Sequence, residues 1–276
     1  MPEGDTVWRT AQRLHQALAG EPLTRSELRW PELSTLDFRG RTTLQVISRG
    51  KHVLHRLDDG FTIHSHLRMD GQWRIDRAEQ ARPNAQTRAW LSTDQWTALG
   101  QRLGMLDVVP TTDEHTLVGH LGPDVLGPDW NAELAAANLR RGVTIGAALL
   151  DQTNLAGVGT LYASESLFMQ HLNPWTPPAE LSGAQLDGLV QRAHRLLDHN
   201  RHYAVQSSTG IRRRGETAWV HARSGRPCRR CGTTVRVATI GPPTRERTMF
   251  YCPGCQGGLA PNDDGRPQRP LGSGRP

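Results

Sequence analysis

All four cysteines of this 276-residue chain fall late in it, as Cys228-x2-Cys231 and Cys252-x2-Cys255, with twenty residues between the pairs. Each CxxC pair fits a tight turn that aims both sulfurs at one ion, and four thiolates suit tetrahedral zinc. Disulfides need an oxidising compartment, and redox chemistry needs only one pair; two linked pairs point to one zinc with a structural role. The spacer holds two short apolar runs, VRVATI and RTMFY, enough for a β-hairpin. Arg245 and Arg247 stand near its second strand, where a rigid tip can press an arginine against a phosphate.

Basic side chains outnumber acidic ones by 33 to 27, and Lys51 is the only lysine. A surface charged through arginine suits phosphate and base stacking, although a GC-rich genome gives the same bias. The N-terminus MPEGDTVWRT has acidic residues and no apolar run, so it does not read as a secretory leader. No stretch approaches the ~20 apolar residues that span a membrane. The expectation is a cytoplasmic, nucleoid-associated monomer with no membrane partner.

Apolar residues Val7, Trp8, Ala11, Leu14 and Leu18 predict a helix over 3–19, stopped by Gly20 and Pro22. From 23 to 110, runs such as TTLQVIS, HVLHRL and FTIHSHL alternate with turn signals, which predicts a β-rich domain built from hairpins. Residues 79–88 read as a mobile loop. A Pro/Gly-rich connector at 121–130 marks a boundary. Helices are predicted at 131–140, 143–152, 160–170 and 184–199, the last near an N-cap at Ser182. The segment 201–227 is arginine-rich and irregular. The tail after Gly258 has no periodicity and reads as disordered. His64 and His66 alternate on one strand face and suggest a metal pair, but no third ligand is evident, so structural or solvent roles are favoured.

The second residue carries a chemical possibility. A small residue such as Pro2 allows Met1 to be removed, leaving a secondary amine. An α-amino group has a pKa of roughly 7.7–8, so much of it is neutral near pH 7, and a following helix lowers it further. A neutral amine can attack a sugar carbon and form an iminium that serves as an electron sink. Glu3 beside it can act as acid or base. Proline and glutamate are also ordinary helix-start residues, and on their own that reading prevails.

MPEGDTVWRT, SRGKHVLH at 48–55, HSHLRMDGQWRI at 64–75, HLGPDVL at 120–126, LLDQTNLAGVGTLYASESLF at 149–168 and CRRCG … RTMFYCPGCQ at 228–256 occur in that order. Together they resemble the formamidopyrimidine-DNA glycosylase/endonuclease VIII family over about residues 1–258, closest to its actinobacterial endonuclease VIII-like branch. The short segment 202–222 lacks the longer loop with which the formamidopyrimidine branch covers oxidised purines.

The resemblance implies an α+β fold in four parts. These are a catalytic domain of one helix and a β-sandwich (1–120), a helical helix–two-turn–helix domain (121–222), a zinc finger (223–258) and a disordered tail (259–276). It implies damaged double-stranded DNA as the partner, bound between the domains. Pro2 is then the Schiff-base nucleophile and Glu3 the proton donor for base loss. Lys51 binds phosphate and promotes β-elimination, and Arg247 grips phosphates flanking the lesion. Met69 fills the gap left by an extruded nucleotide, and Leu103, beside Arg102, is a wedge next to it. Arg68 and His120 stand at DNA-contacting positions where relatives often carry other polar or basic residues. Backbone N–H groups from Gly157 to Gly159 hold a phosphate, with Asn154 as a turn residue. Thr160 replaces an asparagine usual in the family, exchanging an amide donor for a hydroxyl.

The expected activity is a bifunctional DNA glycosylase and abasic-site lyase for oxidised bases, pyrimidines preferred, cutting by β,δ-elimination. Two alternatives remain: a specialist glycosylase for bulky adducts or crosslinks, and a zinc-finger protein that binds damage without catalysis. Intact Pro2, Glu3 and Lys51 argue against the latter.

Overall fold

The structure is a computed structural model that describes residues 2–268, and the chain divides between His120 and Leu121 into two compact units. The first unit starts with helix α1 (Gly4–Leu18), one residue later than the periodicity predicts at its start. Val7, Ala11, Leu14 and Leu18 recur in steps of three and four, share one stripe and are all buried. The chain reverses at Gly20, whose φ of 82° is one that glycine adopts without steric cost.

Eight strands follow: β1 (Arg25–Leu28), β2 (Thr43–Arg49), β3 (His52–Leu57), β4 (Phe61–His66), β5 (Gln72–Arg77), β6 (Thr87–Ser92), β7 (Trp96–Gln101) and β8 (Met105–Pro110). They pair antiparallel in two four-stranded sheets, ordered β1-β6-β7-β5 and β2-β3-β4-β8. Val46, Val53, Leu57 and Ile63 of one sheet join Trp73, Leu91 and Ala98 of the other, with the α1 stripe, in one core. The period of two in β4 puts His64 and His66 on a common face, and the register sets His66 opposite His52 and His64 opposite Asp107. A short helix, α2 (His115–Val118), follows; Glu114 at its start accepts hydrogen bonds from Arg56 Nε (2.8 Å) and Thr62 Oγ1 (2.7 Å). The segment expected as a loop, 79–88, ends in the first two residues of β6.

The second unit holds α3 (Ala132–Leu139), α4 (Ile145–Leu150), α5 (Thr160–Met169) and α6 (Gly183–Asn200). Side-chain caps start three of them: Asn131 accepts from Leu134 N, Thr144 from Ala147 N, and Ser182 forms a capping box with Gln185. Leu139, Leu149, Tyr162, Leu167, Leu189 and Leu197 centre its core. Strands β9 (Arg236–Ile240) and β10 (Arg247–Tyr251) form the hairpin expected between the cysteine pairs, and Ile240 and Met249 enter that same core. Phe250 N also donates to Ser164 Oγ of α5 (3.2 Å), so the hairpin packs directly on this helix.

The expectation of disorder from 259 onward is corrected for residues 259–268. Asp263 pairs with Arg236, both almost fully buried, and accepts a 2.6 Å hydrogen bond from Tyr251 Oη. The Gln268 amide bonds both Val237 N (2.8 Å) and Val237 O (2.9 Å), mimicking a strand on the hairpin edge. Composition missed this because one buried ion pair and one amide hold the segment, with little apolar periodicity. Residues 269–276 lie outside the described residues.

Candidate active site and nucleic-acid interface

Pro2 is half-buried and precedes α1 directly; Glu3 is its N-cap residue, extended at φ −113°. Glu3 and Asp5 are both buried, at 2% and 0% exposure, so two carboxyl groups stand close in sequence to Pro2 at the helix start. Glu3 O accepts from Val7 N at 3.0 Å, and no cap hydrogen bond ties the Glu3 side chain to the α1 backbone.

Lys51 follows Gly50, whose φ is 57°, in the turn between β2 and β3. The structure supplies what the sequence did not show beside His64 and His66: His52 lies within 2.8 Å of His64 through Nδ1 and Nε2, and His64 Nδ1 lies 2.8 Å from Asp107 Oδ2. The His66 ring meets His52 edge-on at 4.8 Å, and the exposed His120 ring lies 6.5 Å from it. Burial, then the neighbouring imidazoles and Arg68, pushes His52 down to about 3. Burial, then the Arg68 and Lys51 charges, pushes His66 down to about 4. These rings are therefore neutral near pH 7.

Two turns of this unit carry the predicted groove-filling residues, with unequal outcomes. Met69 is 63% exposed. Arg68 and Arg102 are exposed with φ of 54° and 50°, outside the regions L residues prefer. Arg68 lies across Gly104; a Cβ there would stand 2.0 Å from Arg68 Cγ. Leu103 is a correction: it is 4% exposed and packs in the sandwich core, so it does not project as a wedge. The β7–β8 turn alternates Arg102 out and Leu103 in, a pairing that adjacent sequence positions cannot rank in advance.

In the second unit the two-turn segment is tied by amides. Gln152 Nε2 donates to Leu150 O and Val158 O, and its Oε1 accepts from Gly157 N at 3.1 Å. Gly157, with φ 104°, thus uses its N–H inside the turn, which corrects its place among the phosphate donors. Asn154 is a buried turn residue, its Nδ2 donating to Ala148 O and its carbonyl accepting from Asn138 Nδ2. Gly159 is the N-cap of α5 and Thr160 its first residue, half-buried. The N-terminus of this helix favours an anion there.

Sequence reasoning missed Glu165 of α5. It is fully buried, and its carboxylate accepts from Ser208 Oγ and from the N–H groups of Trp219 (2.9 Å), Val220 (2.8 Å) and His221 (2.7 Å). One helix residue thereby fixes the arginine-rich segment leading to the cysteines; its donors lie 43 to 56 residues away, beyond any local pattern.

Cys228, Cys231, Cys252 and Cys255 bring their sulfurs within 4.8 Å of one another. Cys231 and Cys252 are 3.4 Å apart, Cys228 and Cys255 3.9 Å. A tetrahedron of sulfurs around zinc at about 2.3 Å has edges near 3.8 Å, so the donor set fits that ion. Burial pushes the Cys252 thiol up and Cys255 up to about 11, costs that a dication removes by binding thiolates. Arg247 is exposed and opens β10, opposite Ile240 across the ladder.

A proline at position 2 ahead of α1 on a β-sandwich, then a helical unit with a tied two-turn segment and a four-cysteine hairpin, defines a class of two-unit, metal-stapled protein. Residues 1–122 match the model described as the formamidopyrimidine-DNA glycosylase N-terminal domain, and residues 121–212 the formamidopyrimidine-DNA glycosylase H2TH domain. The chain is 50% identical over 271 residues to "Probable endonuclease 8 2" of Streptomyces coelicolor, covering 96% of this chain and 98% of that protein. It is 42% identical over 258 residues to "DNA-(apurinic or apyrimidinic site) lyase Nei2" of Mycolicibacterium smegmatis, covering 93% and 99%. The fold is similar to that of Lactococcus lactis formamidopyrimidine-DNA glycosylase, solved non-covalently bound to DNA containing an abasic site, with a TM-score of 0.78 at 22% identity over 92% and 99% of the two chains. The chain belongs to the formamidopyrimidine-DNA glycosylase/endonuclease VIII family.

Proposed function

We propose that this protein is a bifunctional DNA glycosylase and abasic-site lyase of base excision repair, acting on oxidised bases in duplex DNA with pyrimidines preferred. The observation that carries this is Pro2 placed directly before α1 with Glu3 buried beside it, in a chain of this family. With Met1 removed, the Pro2 nitrogen attacks C1′ of the extruded nucleotide as the base departs with a proton from Glu3. The positive end of α1 disfavours protonation of the amine and keeps it nucleophilic. Loss of the amine proton and opening of the C1′–O4′ bond, with O4′ taking a proton, turn the adduct into an iminium that acidifies C2′; loss of that C2′ proton expels the 3′ phosphate, and a second elimination expels the 5′ phosphate. Lys51 and Arg247 hold the flanking phosphates, Met69 fills the vacated space, and Arg68, Arg102, His120, Gly159 and Thr160 line the DNA.

The cysteines hold zinc, which staples the hairpin and takes no part in the reaction. Among the described residues, no helix is long and apolar enough to cross a membrane. A monomer working on the nucleoid fits a DNA substrate.

The test is end-group analysis after incubation with a duplex holding one oxidised pyrimidine. A one-nucleotide gap flanked by phosphates at both ends is expected. Tight binding without cleavage points to the damage-binding reading, and cleavage confined to duplexes with bulky adducts points to the specialist one; either overturns the proposal.

A further inference from the structure

The β2-β3-β4-β8 sheet carries a hydrogen-bonded chain that the chemistry above does not use. Asp107 Oδ2 lies 2.8 Å from His64 Nδ1, and His64 Nε2 lies 2.8 Å from His52 Nδ1. A carboxylate only accepts, so His64 carries its proton on Nδ1 and offers the Nε2 lone pair; His52 must then donate from Nδ1. His66 Nδ1 meanwhile accepts from Arg68 N at 2.9 Å. Lone pairs on His64 and His66 are thus already engaged, which removes this cluster as a metal site and leaves it as a structural tie.

The tie crosses three strands. His52 is the first residue of β3, His64 sits on β4 and Asp107 pairs with His64 from β8. His52 directly follows Lys51, so the chain fastens the end of the β2–β3 turn to the middle of the sheet. Burial keeps His52 and His66 neutral near pH 7, so the tautomers stay fixed there.

We infer that the Asp107–His64–His52 chain is a positioning device for the β2–β3 turn, setting where Lys51 stands during strand scission. This rests on the reading of Lys51 as a scission residue. Asp107 acts through two imidazoles and touches no substrate. Its side chain is 41% exposed, so replacing it leaves no core cavity.

The test uses the full-length, zinc-loaded protein in single-turnover scission of a duplex with a preformed abasic site. Asp107→Val, which keeps a strand-forming residue but no acceptor, is expected to slow scission about tenfold, as a slight misplacement of a scission residue does. Duplex Kd should change far less than the rate, since one displaced phosphate contact is a small part of the DNA interface. Asp107→Asn, whose Oδ1 can still accept, should recover most of the rate. In a Lys51→Met background Asp107→Val should cost nothing further. Nitrogen-15 spectra should show His52 protonated on Nδ1 in the wild type and a mixed tautomer in Asp107→Val. Should Asp107→Val not fold, His64→Leu cuts the same chain and carries the same expectations. A wild-type rate for the chain-breaking variant, or losses that multiply with Lys51→Met, overturns the inference. A wild-type rate for Lys51→Met overturns the Lys51 reading and this inference with it, and is distinguished because the tautomer change persists.

Discussion

The histidine cluster of the first unit and the cysteine cluster of the second both gather side chains that bind metals, yet they are built in opposite ways. Imidazoles at 52, 64 and 66 satisfy one another, Asp107 and the Arg68 backbone, and end neutral. The four sulfurs converge within 4.8 Å of one another, a donor set that suits one cation. Polar groups packed together become a metal site only when their lone pairs remain uncommitted. The first cluster is completed by the protein itself, and the second by an ion.

The largest effect that tests this contrast is metal loss. A structural zinc contributes on the order of 10 kcal/mol to folding of a small finger. Cys252→Ser should therefore take the zinc content from one per chain to none and strip exchange protection from the β9–β10 amides. His52→Ala and His66→Ala should leave zinc at one per chain by atomic absorption. A drop in those variants would break the contrast.

Next in size are the two organising carboxylates. Glu165→Gln keeps one acceptor oxygen but sets an NH2 against the donors on the other, Trp219 N–H or the Val220 and His221 N–H pair, and leaving a buried donor unsatisfied should cost about 3 kcal/mol in urea unfolding. Asp107→Asn keeps an acceptor at a partly exposed site and should cost under about 1 kcal/mol. Equal costs would show that burial does not separate the two.

Acid should separate buried histidines from the Asp263 carboxylate by pH window. His52, His55 and His66 are held at about 3, 4 and 4, chiefly by burial, below the ordinary 6.5. The unfolded chain binds protons first, so this stability is whole above pH 6.5 and falls as pH drops toward 4. The limit is about 1.4 kcal/mol per pH unit for each ring. Asp263, held at about 2 by hydrogen bonds from Arg236 and then Tyr251, contributes stability that is whole above its ordinary 3.8 and is lost toward pH 2. Unfolding followed by pH should show His52→Gln flattening the upper window and Asp263→Asn the lower, the latter with the smaller effect.

Local patterns carried much of this structure into the sequence. The α1 stripe, the caps at Ser182 and the two CxxC turns each involve residues a few positions apart, where periodicity and spacing report geometry directly. What escaped was fixed by distant partners. His52 meets His64 through strand register, Glu165 takes its donors from beyond residue 207, and Asp263 finds Arg236 across 27 positions. Leu103 and Arg102 are neighbours in a turn, and only the packed sandwich decides which one is buried. The proline at position 2 is locally silent, since it reads equally as a helix start; the rest of the chain gives it meaning.

That proline carries the account, and borohydride trapping tests it most directly. The untagged protein, with Met1 removal confirmed by mass, is mixed with a duplex containing an abasic site in the presence of borohydride, alongside Pro2→Gly. A covalent protein–DNA adduct that maps to residue 2 in the wild type and is lost or strongly reduced in Pro2→Gly is predicted. An adduct of equal yield on another residue, or none despite tight binding, would contradict the Schiff-base mechanism.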